Sequence, residues 1–324
     1  MASFLITGCA GFIGSSIAEA LLREGHRVIG VDVFLDNYPR EMKEYNIMAL
    51  RRFKGFFFIE ADIMSIDLLT ILRRVDYVIH EAAQPGVRTS WGQTFDSYLR
   101  NNVLATQRLL EACTKVKLKK FVFASSSSVY GNAGRYPTKE DDPLDPISPY
   151  GVTKLAAEKL CLAYFVNFGL PIVSLRYFTV YGPRQRPDMA IHKFMKNALL
   201  KRPIVVYGDG SQKRDFTYVG DVVEATLAAA FSDVEGETVN IGSGRPVRLL
   251  ELIGMISDLI GRDLEVIFTE EQKGDVRTTF ADISKAKELL GYKPRTGLEE
   301  GLEEELRWLS ALYLRDESEQ KSFS

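Results

Sequence analysis

Tyr150 and Lys154 stand four positions apart in SPYGVTK. On a helix that spacing puts the phenol and the ammonium on one face. A cation beside a phenol favours the phenolate and lowers its pKa toward working pH, which is what a tyrosine base needs. The pair alone is a weak signal, and its weight comes from context. Ser125 to Ser128 end the apolar run that precedes it, and open parallel sheets gather active-site groups at strand ends. A hydroxyl there would hold a substrate oxygen beside the phenol.

A second constellation, Gly8-Cys9-Ala10-Gly11-Phe12-Ile13-Gly14, follows the first apolar run and opens a helix. Glycines at this GxxGxxG spacing allow a tight turn, close backbone approach to a pyrophosphate and close packing of helix on strand. The phosphates then sit on the helix N-terminus, where free N–H groups and the dipole favour anions. Asp32 ends the second apolar run, where a carboxylate meets the ribose hydroxyls of an adenosine. No Arg or Lys lies between Asp32 and Pro39 to neutralise a 2′-phosphate, so NAD is expected rather than NADP. Asp62-Ile63, after the third run, is placed for an adenine contact, or equally Asp62 caps a helix.

These residues need a scaffold. Apolar runs at 3–7, 27–33, 56–59, 77–79, 121–124 and 171–178 alternate with helical periodicity at 12–24, 95–116 and 151–168. That alternation implies right-handed βαβ crossovers and a mostly parallel sheet. The expected class is α/β, a Rossmann-type doubly wound sheet. Composition shifts at 181–188, rich in Pro and Arg. A helix at 189–201, a short strand and turn in IVVYGDG, a helix at 221–231, a buried strand at 237–244, a helix at 249–260 and a strand at 265–269 follow. A smaller, discontinuous second domain is expected: 1–180 with 215–243 as the NAD-binding domain, 181–214 with 244–314 as the substrate domain, and 315–324 as a frayed polar tail.

Composition excludes several classes. The chain has 324 residues, 43 acidic and 41 basic side chains and 46% apolar content. A net charge of −2 carries no nucleic-acid footprint. No uncharged apolar run approaches the roughly 20 residues that span a bilayer, and MASFLITG lacks the basic start of a signal peptide. Cys9, Cys113 and Cys161 are isolated, as in a reducing cytoplasm. His80 is expected to be a buried, satisfied histidine, and His26 and His192 have no metal or triad partners, so no metal site is expected.

The ordered signatures GCAGFIG, VIHEAAQ (78–84), Asn102 in NNVLAT, SSSSVYG (125–131), SPYGVTK, LRYFTVYGP and QKRDFTYVGD (212–221) resemble the extended short-chain dehydrogenase/reductase family, in its nucleotide-sugar epimerase branch. The resemblance runs to about residue 314. It implies that Tyr150 takes the proton of a sugar 4-hydroxyl while C4 gives a hydride to tightly held NAD+, and that hydride returns to the opposite face of a 4-keto sugar. Lys154 would hydrogen-bond the nicotinamide ribose and depress the Tyr pKa. Ser126 would hold the reacting hydroxyl, with Ser127 as second candidate and Ser125 and Ser128 serving local backbone. Cofactor contacts are implied at Gly8, Gly11, Phe12, Ile13, Gly14, Asp32, Asp36, Asn37, Asp62, Ile63, Ala82, Ala83, Gln84, Asn102, Tyr150, Lys154 and Tyr177, though Tyr177 could equally be a core residue.

Departures narrow the reaction. The 4,6-dehydratases of this family carry an Asp-Glu pair before the VYG triplet, and the UDP-glucuronate decarboxylases a Glu. Ser127 and Ser128 stand there instead, which leaves simple 4-epimerisation. Thr179 occupies the place of an Asn in UDP-glucose 4-epimerases, and with RQRPDMA it looks more like UDP-glucuronate 4-epimerases. A sugar C6 carboxylate needs a cation or several donors, and Arg186 with Thr179 could supply them. The alternative is that Arg184 and Arg186 meet a helix C-terminus or solvent, or that Arg186 meets only phosphate. Arg214 and Arg277 match positions that grip the UDP pyrophosphate, or else form surface ion pairs. Backbone at Val206 and Tyr207 would pair with uracil, and Arg88 lies at the mouth or is structural. The expected substrate is UDP-glucuronate, with UDP-glucose as the alternative. Apolar residues on more than one face of the helices at 95–116 and 151–168 fit the family's homodimer, an intermolecular four-helix bundle.

Overall fold

The computed structural model describes Met1 through Leu314; the tail expected at 315–324 lies outside the described residues. The first half runs β1 (Ser3–Thr7), α1 (Phe12–Arg23), β2 (Arg27–Asp32), α2 (Arg40–Leu50), β3 (Phe56–Glu60), α3 (Leu68–Leu72) and β4 (Tyr77–His80). Then come α4 (Phe95–Tyr98), a π-helical turn (Leu99–Leu104), α5 (Ala105–Cys113), β5 (Lys120–Ser126), α6 (Pro149–Phe168) and β6 (Ile172–Tyr177). The second half runs β7 (Thr179–Tyr181), α7 (Ala190–Leu199), β8 (Ile204–Tyr207), β9 (Lys213–Tyr218), α8 (Val219–Phe231) and β10 (Glu237–Ile241). It closes with β11 (Pro246–Arg248), α9 (Leu249–Ile260), β12 (Val266–Thr269), α10 (Ser284–Leu290) and α11 (Leu298–Tyr313).

Seven strands form the central sheet in the order β10-β6-β5-β4-β1-β2-β3, every neighbouring pair parallel. This is the α/β Rossmann-type arrangement that the alternation predicts. Helices cover both faces, so the strands read as continuous apolar runs rather than alternating ones. Residues of β1 divide between the layers: Phe4 and Ile6 join one core, Leu5 the other. The strand order reverses between β1 and β4, which opens a crevice at their C-terminal ends.

A third core lies among α7, α9 and α11. Beside it stand a three-stranded sheet, β11-β9-β7, and a parallel pair, β12-β8. The expected strand at 265–269 is β12, and the expected helix at 189–201 is α7. The strands β7, β9 and β11 have three to six residues, too short for a periodicity to single them out. The helix expected over 95–116 ends at Cys113 and is interrupted by the π turn. Among the described residues no helix is long and apolar enough to cross a membrane.

Candidate active site

A cleft of about 390 Å³ opens along the C-terminal ends of the central strands. Its floor is the turn after β1. Gly8 adopts a left-handed φ of 70°, and a Cβ there would stand 2.7 Å from the Ala82 nitrogen. A Cβ on Gly14 would come within 2.4 Å of the Gly8 carbonyl oxygen. Only glycine permits both approaches. Gly11 caps α1 and brings no side-chain acceptor to it, so the first-turn N–H groups are left for an anion. The turn therefore fits a dinucleotide pyrophosphate, with Phe12 and Ile13 lining the same wall.

Asp32 ends β2 in this cleft and accepts from the Ala10 N–H at 3.0 Å and the Phe34 N–H at 2.8 Å. Burial raises its pKa, and those backbone bonds pull it back down. Beside it lies Lys43 of α2, a buried cation outside the window that sequence reading searches. Its ammonium is engaged by the Leu35 carbonyl and by Asn37 Oδ1 at 2.6 Å. Asn37 lines the cleft; Asp36 is exposed and does not. Asp62 and Ile63 line it too. Asp62 caps no helix: it accepts from the Met64 N–H at 2.8 Å and pairs with Arg100 at 2.7 Å, while Asp67 caps α3.

At the other end, α6 starts on a good signal. The Ser148 hydroxyl accepts from the Gly151 N–H at 3.1 Å and Pro149 opens the first turn. That start delivers Tyr150 and Lys154 into the cleft beside Ser126 and Ser127 at the end of β5. The Tyr150 ring meets Tyr98 edge-on at 6.3 Å. Burial raises the Tyr150 pKa, while the Ser126 hydroxyl and the Arg186 charge lower it. Arg186 shares the cleft with the phenol, and its charge favours the phenolate. Lys154 donates to the Ala124 carbonyl at 2.7 Å. Burial lowers Lys154 to about 8 against the opposing pull of Glu81. Ser125, expected to serve backbone, donates to Glu158 at 2.7 Å.

Two residues act differently from expectation, or were missed. Asn102, in the π turn, is buried outside the cleft: it accepts from the Gln84 N–H at 2.7 Å and donates to the Gln84 carbonyl at 3.1 Å and to Thr153 at 2.9 Å. It clamps the segment carrying Ala82 and Ala83, which line the cleft while Gln84 does not. Glu81 also lines the cleft and accepts from the Tyr177 hydroxyl at 3.0 Å. Burial raises it to about 7, opposed by Tyr177 and Lys154. A charge at the end of the apolar run VIHE is the signal that could have found it.

Arg186 enters from the loop after β7, and Thr179 lines the same cleft. Its guanidinium is forked on Asp188, at 3.0 and 3.1 Å, and is not engaged by a helix end. Arg184 instead pairs with Glu19 of α1. The remaining candidates lie outside the cleft lining. Arg88 pairs with Asp275 at 2.7 Å, its guanidinium 4.3 Å from the Tyr207 ring centroid. Arg214 donates to the Lys213 and Arg277 carbonyls at 2.9 and 3.2 Å. The Arg277 side chain is 80% exposed and pairs with Glu271 at 3.4 Å. Val206 is buried in β8, whose one strand partner is β12, leaving its other edge without one among the described residues.

Comparison with known proteins agrees with this geometry. The UDP-glucuronate 4-epimerase of Thermodesulfobacterium geofontis (strain OPF15) is 41% identical over 314 residues, covering 95% of this chain and 96% of its own. The Bacillus subtilis (strain 168) protein described as the uncharacterized UDP-glucose epimerase YtcB is 48% identical over 311 residues, covering 95% and 98%. The crystal structure of UDP-glucuronic acid 4-epimerase from Bacillus cereus in complex with UDP-glucuronic acid and NAD superposes with a TM-score of 0.94 at 46% identity, covering 96% of this chain and all of that one. The model of the NAD dependent epimerase/dehydratase family matches residues 4–242. The chain therefore belongs to the NAD dependent epimerase/dehydratase family.

Proposed function

We propose that the protein is an NAD-dependent UDP-sugar 4-epimerase and that its sugar is UDP-glucuronate, interconverted with UDP-galacturonate. The observation that carries this reading is Arg186 with Thr179 lining the cleft that holds Tyr150. A guanidinium there matches a C6 carboxylate through charge-assisted, forked hydrogen bonds. Holding that carboxylate also disfavours its loss from a 4-keto sugar, and the positions before VYG carry no acid–base pair for elimination.

NAD, when bound, would supply the acceptor and then the donor of a hydride at C4 of the sugar. The glycine turn and first turn of α1 would hold its pyrophosphate, and Asp32 its adenosine ribose. Tyr150 Oη takes the proton of the 4-hydroxyl and gives it back on reversal. Ser126 orients that hydroxyl, and Arg186 steadies the phenolate while it exists. Lys154, held by Ala124, would hydrogen-bond the nicotinamide ribose. The mouth residues Arg88, Arg214 and Arg277, with the free edge of β8 at Val206 and Tyr207, are assigned to UDP. Residues 1–180 with 215–243 then form the NAD-binding part, and 181–214 with 244–314 the sugar-nucleotide part.

UDP-glucose is the second reading. It is favoured by the name of the Bacillus subtilis relative and by Arg186 already having a carboxylate partner in Asp188. Incubation with each UDP-sugar, with products resolved by proton NMR, decides between them. UDP-galacturonate from UDP-glucuronate alone supports the first reading; UDP-galactose from UDP-glucose alone replaces it. The reading further includes a cytoplasmic homodimer. Exposed Leu99, Leu104, Val152, Leu162, Val166 and Phe168 on the α4–α5 and α6 helices support the pairing. A light-scattering mass of one chain would refute it.

A further inference from the structure

We propose that Glu81 tunes the charge of the cleft so that it favours the oxidised, cationic nicotinamide over the reduced, neutral one. This rests on the placement of NAD in the cleft and deepens that reading. Glu81 is the first residue past β4, at the point where the strand order reverses. The following backbone, at Ala82, packs against the Gly8 turn. The carboxylate therefore lies between the phosphate turn and the Tyr150–Lys154 start of α6, all in one cleft.

Its orientation is built in. The Tyr177 hydroxyl donates to it at 3.0 Å, and that hydroxyl is itself held at 2.8 Å by Thr226 of α8. Proton transfer at the sugar has no use for this group, because Tyr150 serves it. Nor does Lys154 need it as an anchor, since Ala124 holds the ammonium. Keeping a carboxylate at a buried strand end is costly unless a cation compensates it. Lys154 shares the cleft, but its ammonium is hydrogen-bonded to the Ala124 carbonyl rather than to this carboxylate. The positive charge of oxidised nicotinamide completes the compensation, and reduction removes it. Above about pH 7, where it is ionised, this carboxylate stabilises the oxidised form relative to the reduced one. The consequence is prompt return of hydride to the sugar.

The test is Glu81→Gln, which keeps an acceptor for Tyr177 and removes the charge. Purified wild type and variant are equilibrated at pH 8 with a defined mixture of NAD+ and NADH. The bound ratio is then read by absorbance after rapid gel filtration. Glu81→Gln is expected to shift the bound pool toward NADH by about tenfold, the equivalent of roughly 1.4 kcal/mol. A ratio within twofold of wild type overturns the proposal. Glu81→Asp, which keeps the charge on a shorter stem, is expected to stay within threefold of wild type; a shift as large as that of Glu81→Gln would make the effect structural and also overturn it. If neither protein binds either form, the placement of NAD itself fails, an outcome distinct from an unchanged ratio with both bound.

Discussion

Replacing Arg186 by Ala is expected to lower kcat/KM for UDP-glucuronate about 100-fold relative to UDP-glucose, a difference of roughly 2.7 kcal/mol. The figure follows from the site. The Arg186 side chain is 22% exposed and its fork is well formed on Asp188. A hydrogen bond to a charged group in such a setting contributes about 1.5–3 kcal/mol, reduced by residual solvent. Removing the guanidinium also leaves Asp188 as an unpaired anion facing the incoming carboxylate, which adds on the order of 1 kcal/mol. Arg186 also lowers the Tyr150 pKa, so turnover of both sugars should fall. That shared loss cancels in the ratio, which is the quantity to measure. Initial rates on each sugar under kcat/KM conditions supply it, with Arg186→Lys as an intermediate that keeps charge and loses the fork. Asp188→Asn should raise the ratio a few-fold by freeing Arg186. Equal losses on both sugars, or a ratio moved less than threefold by Arg186→Ala, would refute the carboxylate assignment.

Three further outcomes are expected. Tyr150→Phe should lose on the order of 10²–10⁴ in kcat, the range for a positioned base, while gel filtration still recovers NAD with the protein; near-normal turnover would remove Tyr150 from its role. Gly14→Ala drives a Cβ to 2.4 Å from the Gly8 carbonyl and should weaken NAD at least about tenfold by calorimetry; unchanged affinity would contradict the close turn. His80, buried between Thr7 at 2.7 Å and Thr106 at 2.9 Å, is lowered by burial to about 3. The unfolded chain then binds the extra proton first, so this contribution is present above pH 6.5 and is lost as pH falls toward 3. Between pH 6.5 and 5 it amounts to at most about 2 kcal/mol. Urea unfolding should show the stability advantage of wild type over His80→Gln shrinking from pH 7 to pH 5; a constant difference would exclude it.

Much of the scaffold was legible because its signals are local. An apolar run bounded by glycines, followed by a stretch of helical period, specifies a strand and a helix wherever it occurs. Repetition of that unit leaves few topologies beyond a parallel sheet. Ser148 and Pro149 mark the start of α6 in the same local way, which puts Tyr150 and Lys154 on one face before any tertiary contact is known. The short strands β7, β9 and β11 were not legible, since their pairing depends on partners tens of residues away. Asp62 shows the limit within a motif: its turn geometry and its pairing with Arg100 involve another helix, and a helix cap looks the same in sequence.

The sequence by itself determined the α/β sheet, the dinucleotide turn and the Tyr–Lys spacing, because each is encoded in neighbouring residues and backbone sterics. Only the tertiary structure decided which charges share the cleft. It turned Lys154 to Ala124, brought Arg186 from a Pro-rich loop to the phenol, placed Lys43 by Asp32, and set Glu81 under Tyr177. Those assignments depend on distances across the fold and on burial, which together set how strongly each charge is felt.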